Sequence, residues 1–154
     1  YLSGRCDIYT TDASGLAATR STFPSPNDHM ILPEIISKEP LGPATRQGDD
    51  QWADIIRWVY NATVTAEELG VTSSNVDSMK SSNNPEILRM LGVEGSQGEE
   101  LGLSKDWAYQ IIKQVGNYSE IFERNIGENT PIGLARGLND LWTRGGLQYS
   151  PPFR

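Results

Sequence analysis

The residues best suited to chemistry lie near the start of the chain, in the stretch GRCDIYTTD at positions 4–12. This stretch holds the single cysteine, Cys6, and two carboxylates, Asp7 and Asp12. Residues 6–11 are rich in β-branched and aromatic side chains, which predicts a strand. Two carboxylates five positions apart on a strand point to opposite faces, so the carboxylate pair of a hydrolase is not indicated. A lone cysteine cannot form a disulfide within the chain.

Asp12 closes the predicted strand and is followed by the small residues of Ala13 to Leu16, which favour a turn into a short helix. Its carboxylate suits two roles. It can cap the N-terminus of that helix, which the local sequence alone favours. It can also lie at the carboxyl end of a strand, where open α/β sheets bind ligands, and accept a charge-assisted hydrogen bond from an ammonium group.

The rest of the sequence gives little indication of an enzyme. It has no P-loop, no dinucleotide-binding glycine pattern and no nucleophile elbow, and one histidine with one cysteine cannot make a metal-spaced cluster. His29 lies on a predicted strand, where a structural or surface role is favoured over that of a base. No catalytic residue, metal or cofactor is therefore expected.

Composition excludes two further classes of function. The net charge is -7 and the 13 Lys and Arg residues are scattered singly, whereas nucleic-acid binding needs a basic stripe. No apolar run approaches the roughly 18 residues that would span a bilayer. We therefore expect no nucleic-acid partner and no membrane insertion.

The elements that must position Asp12 divide into a strand-like start and a helical remainder. Further strands are predicted at 29–36, bent by Pro33, and at 41–46. Parallel strands need partners on both sides, and the chain opens with Tyr1 rather than Met, so the sequence is interpreted as a fragment whose other strands lie upstream. The predicted fold class is α/β, helix-rich after residue 49.

Helix start and stop signals follow one another through this second part. The signals combine Asn, Asp, Ser or Thr caps with glycine stops, and a glycine-rich loop is predicted at 93–103. The predicted starts are Asp49 or Asp50, Thr65, Asn84, Ser104, Asn117 and Thr130, and the predicted stops are Gly70, Gly92, Gly116 and Gly145.

Four separated motifs resemble the C-terminal part of the periplasmic solute-binding proteins of polar and general L-amino acid ABC transporters. They are GRCDIYTTDASGLAATR, LPEIISKEPLGPATRQGDDQW, GNYSEIFERNIG and RGLNDLWTRGGLQYSPPFR, and they run in order from Gly4 to Arg154. The resemblance implies a two-lobed periplasmic-binding-protein fold of type II that encloses its ligand between the lobes. Residues 1–38 would end the second, inserted lobe, residues 39–154 would form the C-terminal part of the first, and a hinge would cross near 37–41.

The resemblance also implies a role for Asp12. In this family the aspartate that closes the G-R-x-D-x(4)-D strand receives the α-ammonium group of the ligand, and Asp12 matches that position. Thr10 and Thr11 adjoin it and are weaker candidates for ligand contact. The arginine that would bind the α-carboxylate belongs to sequence that would precede Tyr1.

The implied function is capture of L-amino acids in the periplasm and delivery to a membrane permease, with no chemical bond made or broken and no cofactor. The implied partners are the L-amino acid, the permease and the N-terminal remainder of the same protein. An alternative is a sensor or receptor domain of the same fold. Cys6 would either pair with an upstream cysteine or remain a buried free thiol.

Overall fold

A computed structural model describes residues 1–38 and 40–154 of the chain. Within them the regular structure is almost entirely helical. Single 3-10 turns lie at Pro26–Asp28, Gly137–Asn139 and Trp142–Arg144. The α-helices, in chain order, are α1 (Ala13–Ser21), α2 (Asp50–Glu68), α3 (Val76–Met79), α4 (Pro85–Met90), α5 (Gln97–Glu100), α6 (Trp107–Val115) and α7 (Tyr118–Asn125).

The three predicted strands are wrong for the described part of the chain. Residues 6–11, 29–36 and 41–46 form neither helix nor strand, and an isolated parallel bridge elsewhere joins Leu141 to Gln148. A strand forms only where a neighbouring strand pairs with its backbone groups, and no such ladder forms beside these segments among the described residues. The described residues therefore hold almost none of the strand that an α/β class implies, whereas the helix-rich part after residue 49 is confirmed.

Helix α2 is the longest element and begins where the sequence predicts. The Asp49 side chain accepts a hydrogen bond of 3.1 Å from the backbone N–H of Trp52. Thr65 does not open a second helix, because residues 61–67 are all buried and packing on every side keeps the helix continuous. The helix ends at Glu68, and Gly70 follows in a left-handed conformation with φ of 69°, as its predicted role as a stop requires.

The hydrophobic core lies between α2 and the later helices. Helix α2 contacts both α6 and α7, and α3 contacts α6. The C-terminal segment completes the core, since Phe153 lies edge-on to Trp58 at 5.3 Å between ring centroids and 6.3 Å from Trp107. The buried cluster consists of Ala62, Ala66, Val71, Val76, Ile87, Met90, Leu91, Trp107, Ala108, Ile112 and Phe153.

Most of the predicted helix ends are confirmed. Asn84 caps α4 by accepting a hydrogen bond of 2.9 Å from the Glu86 N–H. Asn117 and Glu120 form the predicted reciprocal capping box of α7, and Gly116 ends α6 with φ of 84°. Helix α6 begins later than predicted, with Asp106 at its N-cap position rather than Ser104. The predicted loop at 93–103 contains the single-turn helix α5.

The predicted last helix, starting at Thr130, is wrong. Gly133 and Gly137 adopt positive φ values of 64° and 49°, which a right-handed helix cannot accommodate. The segment after Thr130 instead contacts α2 through ion pairs with the buried carboxylate of Glu67. We call Glu67, Arg136, Asp140 and Arg144 the Glu67 cluster.

Candidate functional site

Asp12 occupies the N-cap position of α1, the helix that the sequence predicts after it. Its backbone carbonyl accepts the first helical hydrogen bond, from the Leu16 N–H at 2.8 Å. Its side chain, however, accepts no capping hydrogen bond from the helix. Asp12 therefore occupies the predicted cap position through its backbone, and its carboxylate is exposed.

Gly15 makes room for the Asp12 side chain on the first turn of α1. A Cβ atom at Gly15 would lie 3.1 Å from Oδ2 of Asp12 and 3.2 Å from Cγ2 of Thr11, tighter than most real contacts. The structure thus brings Thr11 and Asp12 together against the helix backbone, while Thr10 is exposed on the preceding extended segment. The sequence did not predict this role of Gly15. The run of small residues at 13–15 is the feature that could have indicated the space beside Asp12.

This arrangement suits the binding of a cationic group. A carboxylate is an acceptor with two oxygens, and one that is exposed beside a threonine side chain can receive the N–H groups of an ammonium ion. His29 is engaged elsewhere, with its Nδ1 atom 2.9 Å from the Tyr1 hydroxyl and its ring against Phe23. Among residues 1–38 and 40–154, no group of three or more acidic, His or Cys side chains could hold a metal ion.

Two pockets of the described residues lie away from Asp12. One, of about 310 Å³, is lined by Trp58, Trp107 and the C-terminal residues Phe153 and Arg154 among others. Another, of about 270 Å³, lies between the end of α2 and residues 142–152. Asp12, which is exposed, lines neither of these two pockets.

No protein-family model matches the chain. Full-chain sequence similarity is found instead to individual binding proteins. The chain is 61% identical to the general L-amino acid-binding periplasmic protein AapJ of Rhizobium johnstonii and 57% identical to the glutamate/glutamine/aspartate/asparagine-binding protein BztA of Rhodobacter capsulatus. It is 53% identical to the putative amino-acid ABC transporter-binding protein YhdW of Escherichia coli. These matches cover 99 to 100% of the chain.

A solved structure agrees with these matches. The periplasmic binding protein of an ABC transporter from Brucella ovis, with glutathione bound, is 58% identical and superimposes with a TM-score of 0.95 over the whole chain. The chain spans 49% of that structure and 45 to 46% of the relatives named above. No helix among the described residues is long and apolar enough to cross a membrane. Over its whole length the chain is therefore similar to about half of these periplasmic binding proteins of ABC transporters.

Proposed function

We propose that the chain is part of the substrate-binding component of an amino acid ABC transporter, working in the periplasm. An open form binds the amino acid, the lobes close around it by hinge rotation, and the closed form delivers it to the membrane permease. The names of the relatives support transport rather than the alternative of a sensor domain. The step is reversible binding, and no catalytic residue is proposed.

The observation that carries this proposal is the free carboxylate of Asp12. It lies at the start of α1, exposed and without a capping hydrogen bond, in the motif where the family resemblance places the ammonium-binding aspartate. We assign to Asp12 the α-ammonium group of the ligand, with Thr11 beside it. Thr10 is kept as a weaker candidate because it is exposed on the same segment.

The lobe assignment follows from the same resemblance. Residues 1–38 are assigned to the end of the second lobe and residues 39–154 to the first, with the hinge crossing near 37–41. Glu39, inside that crossing, lies outside the described residues. Exposed apolar side chains support this assignment, because they lie on extended segments that an adjoining sheet would cover: Ile8 is 78% exposed, Met30 81% and Ile36 84%.

The missing partner of these segments is proposed to be the N-terminal remainder of the same protein. The chain spans less than half of its relatives, so sequence outside it has room to supply the second wall of the cleft and the group that binds the α-carboxylate. The Cys6 side chain is exposed and unpaired among the described residues, which leaves it accessible to a cysteine from that remainder.

The ligand class is proposed to be defined by its free α-amino group. AapJ is named for general L-amino acids, BztA for four acidic and amide amino acids, and the Brucella ovis structure holds glutathione. Glutathione carries the same α-ammonium and α-carboxylate groups at its glutamyl end. A carboxylate at Asp12 would serve all of these ligands alike, because it binds the group that they share.

The test is calorimetric titration of L-glutamine into a full-length protein that contains this chain. Replacing Asp12→Asn keeps the size of the side chain but removes its charge. We expect affinity to fall by about 2 to 5 kcal/mol, which is roughly 30-fold to several thousand-fold. N-acetyl-L-glutamine, which lacks the ammonium group, should bind the unmodified protein weakly. Its affinity should be the same for the Asp12→Asn variant.

The matched control is Asp7→Asn, which makes the same change at an exposed carboxylate five positions earlier. Its affinity for L-glutamine should equal that of the unmodified protein. If Asp12→Asn binds L-glutamine as tightly as Asp7→Asn does, the assignment of the ammonium to Asp12 is refuted. If no amino acid binds to the unmodified full-length protein, the proposed function itself fails.

A further inference from the structure

The pocket of about 270 Å³ beside the end of α2 lies away from Asp12. We call it the Trp142 pocket. Its walls combine the carboxylates of Glu68 and Glu86 with the aromatic rings of Trp142 and Tyr149. Neither the family resemblance nor the proposed function gives this pocket a role.

The two carboxylates of the pocket are not neutralised. Glu68 makes no ion pair among the described residues, and neither does Glu86. The adjacent Glu67 differs sharply, because it is buried and paired with both Arg136 and Arg144. The end of α2 therefore carries one buried, ion-paired carboxylate and, in the pocket, one carboxylate that makes no ion pair among the described residues.

The aromatic side chains of the pocket are held in place yet exposed. Trp142 donates its indole Nε1–H to Glu68 over 3.1 Å, and its ring meets that of Tyr149 edge-to-face with centroids 5.9 Å apart. Trp142 is nevertheless 51% exposed and Tyr149 60%. Large aromatic rings that stay exposed beside polar groups are typical of protein interfaces.

The floor of the pocket is fixed by polar contacts. The hydroxyl of Thr65 donates to that of Ser150 over 2.8 Å, and Ser150 donates to the carbonyl of Pro151 over 3.1 Å. Thr65 and Ser150 are 3% and 7% exposed. Both hydroxyls therefore have hydrogen-bond partners within the chain. The groups of the pocket that lack a partner of opposite charge among the described residues are the carboxylates of Glu68 and Glu86.

From these features we infer that the Trp142 pocket receives an arginine side chain of a protein partner. A guanidinium group is planar and charged, stacks on aromatic faces and bonds carboxylates through its fork of N–H groups. A protein side chain is the occupant, rather than a free molecule, because the pocket is open and at the small end for sites that enclose a whole ligand. This inference does not depend on the ligand assigned to Asp12.

The test follows the indole N–H resonance of Trp142 in the nitrogen–proton NMR spectrum of the full-length protein. Trp142→Phe identifies that resonance by its loss. The probe is N-acetyl-arginine amide, whose blocked ends keep it from acting as an amino acid ligand. We expect a saturable shift at millimolar concentrations that weakens as salt is added. N-acetyl-citrulline amide, its neutral counterpart, should produce none.

Charge removal gives the second arm. Glu68→Gln and Glu86→Gln should each weaken the binding of N-acetyl-arginine amide by about threefold, as expected for a partly exposed ion pair. Glu94→Gln removes the same charge at an exposed position outside the pocket and should change nothing. The inference is overturned if no saturable shift occurs or if the citrulline compound shifts Trp142 equally. Micromolar binding of the blocked arginine would overturn the protein partner in favour of a free cation.

Discussion

Replacing Glu67→Gln should be among the most destabilising single changes of a charged residue in this chain. The Glu67 side chain is 5% exposed and lies on α2, where it pairs with Arg136 over 3.0 Å and with Arg144. Arg136 is itself 11% exposed and lies over the rings of Tyr118 and Phe122, 5.2 Å from each centroid. The substitution removes the nearer carboxylate of a buried guanidinium and leaves it with Asp140 at 3.6 Å.

The magnitude follows from the burial of each partner. At 3.0 Å the attraction between Glu67 and Arg136 is about 5.5 kcal/mol for an effective dielectric constant of about 20, and desolvation offsets part of it. Arg144 is 49% exposed, so solvent screening limits its contribution to about 1 kcal/mol or less. Removing one partner of a buried pair typically costs about 3 to 5 kcal/mol. Because glutamine keeps the size and one acceptor, we expect about 3 kcal/mol.

Urea denaturation of the full-length protein measures this loss through the midpoint of the transition. A loss of about 3 kcal/mol lowers the midpoint by roughly 1 to 3 M for ordinary slopes. A double-mutant cycle with Arg136→Gln separates the pair from its surroundings. The double variant should be more stable than the sum of the two losses predicts, by about 1 to 3 kcal/mol, since the two changes remove one shared interaction.

The control is Arg57→Gln, which breaks an ion pair with Asp54 whose side chains are 66% and 52% exposed. That change should stay within about 0.5 kcal/mol. A loss below about 1 kcal/mol for Glu67→Gln, or additive losses in the cycle, would refute the reasoning that the Glu67 cluster holds the C-terminal segment on α2.

Two further predictions concern acid stability and the core. Burial raises the pKa of Glu120, but hydrogen bonds from Ser73 and Asn117 lower it more, so its pKa lies below the ordinary 4.5. The stabilisation that the Glu120 carboxylate gives the folded state is therefore complete above pH 4.5 and is lost as the pH falls through the lowered pKa. Glu120→Gln should flatten the acid-denaturation curve in that pH range. Glu128→Gln, at an exposed position, should not. Phe153→Ala should lower the free energy of unfolding, measured by urea denaturation, by about 3 to 5 kcal/mol and should alter tryptophan fluorescence. The reason is that the Phe153 ring is 2% exposed and lies between two tryptophans. An unchanged midpoint would contradict its place in the core.

Helix ends were predictable where both interacting groups lie within one turn of sequence. The capping box of Asn117 and Glu120 spans three positions, and so does the bond from the Trp52 N–H to Asp49. Such local signals also placed α1 directly after Asp12. The position of Asp12 before α1 was thus predictable from the sequence. The space that Gly15 leaves for the Asp12 carboxylate was not, because it depends on the direction of the Asp12 side chain over the first turn of the helix.

Distant partners account for what the sequence did not predict. Thr65 and Glu68 have the spacing of a capping box, but the Thr65 hydroxyl instead donates to Ser150, which lies 85 positions away. The helix predicted from Thr130 does not form, because Gly133 and Gly137 adopt positive φ values. Arg136 and Arg144 pair instead with Glu67, which lies 69 and 77 positions earlier. The strands predicted at 6–11 and 29–36 had the right side chains, but a strand also requires a neighbour, and composition carries no information about one.

The spacing between α2 and its polar partners also has a consequence for synthesis. Thr65 and Glu67 are buried on α2, yet the groups that satisfy them are 69 to 85 residues further along the chain. At a translation rate of roughly 5 to 20 residues per second, α2 is therefore synthesised roughly 3 to 17 s before those groups. During that interval the inward face of α2 lacks the partners that satisfy Thr65 and Glu67 in the finished core.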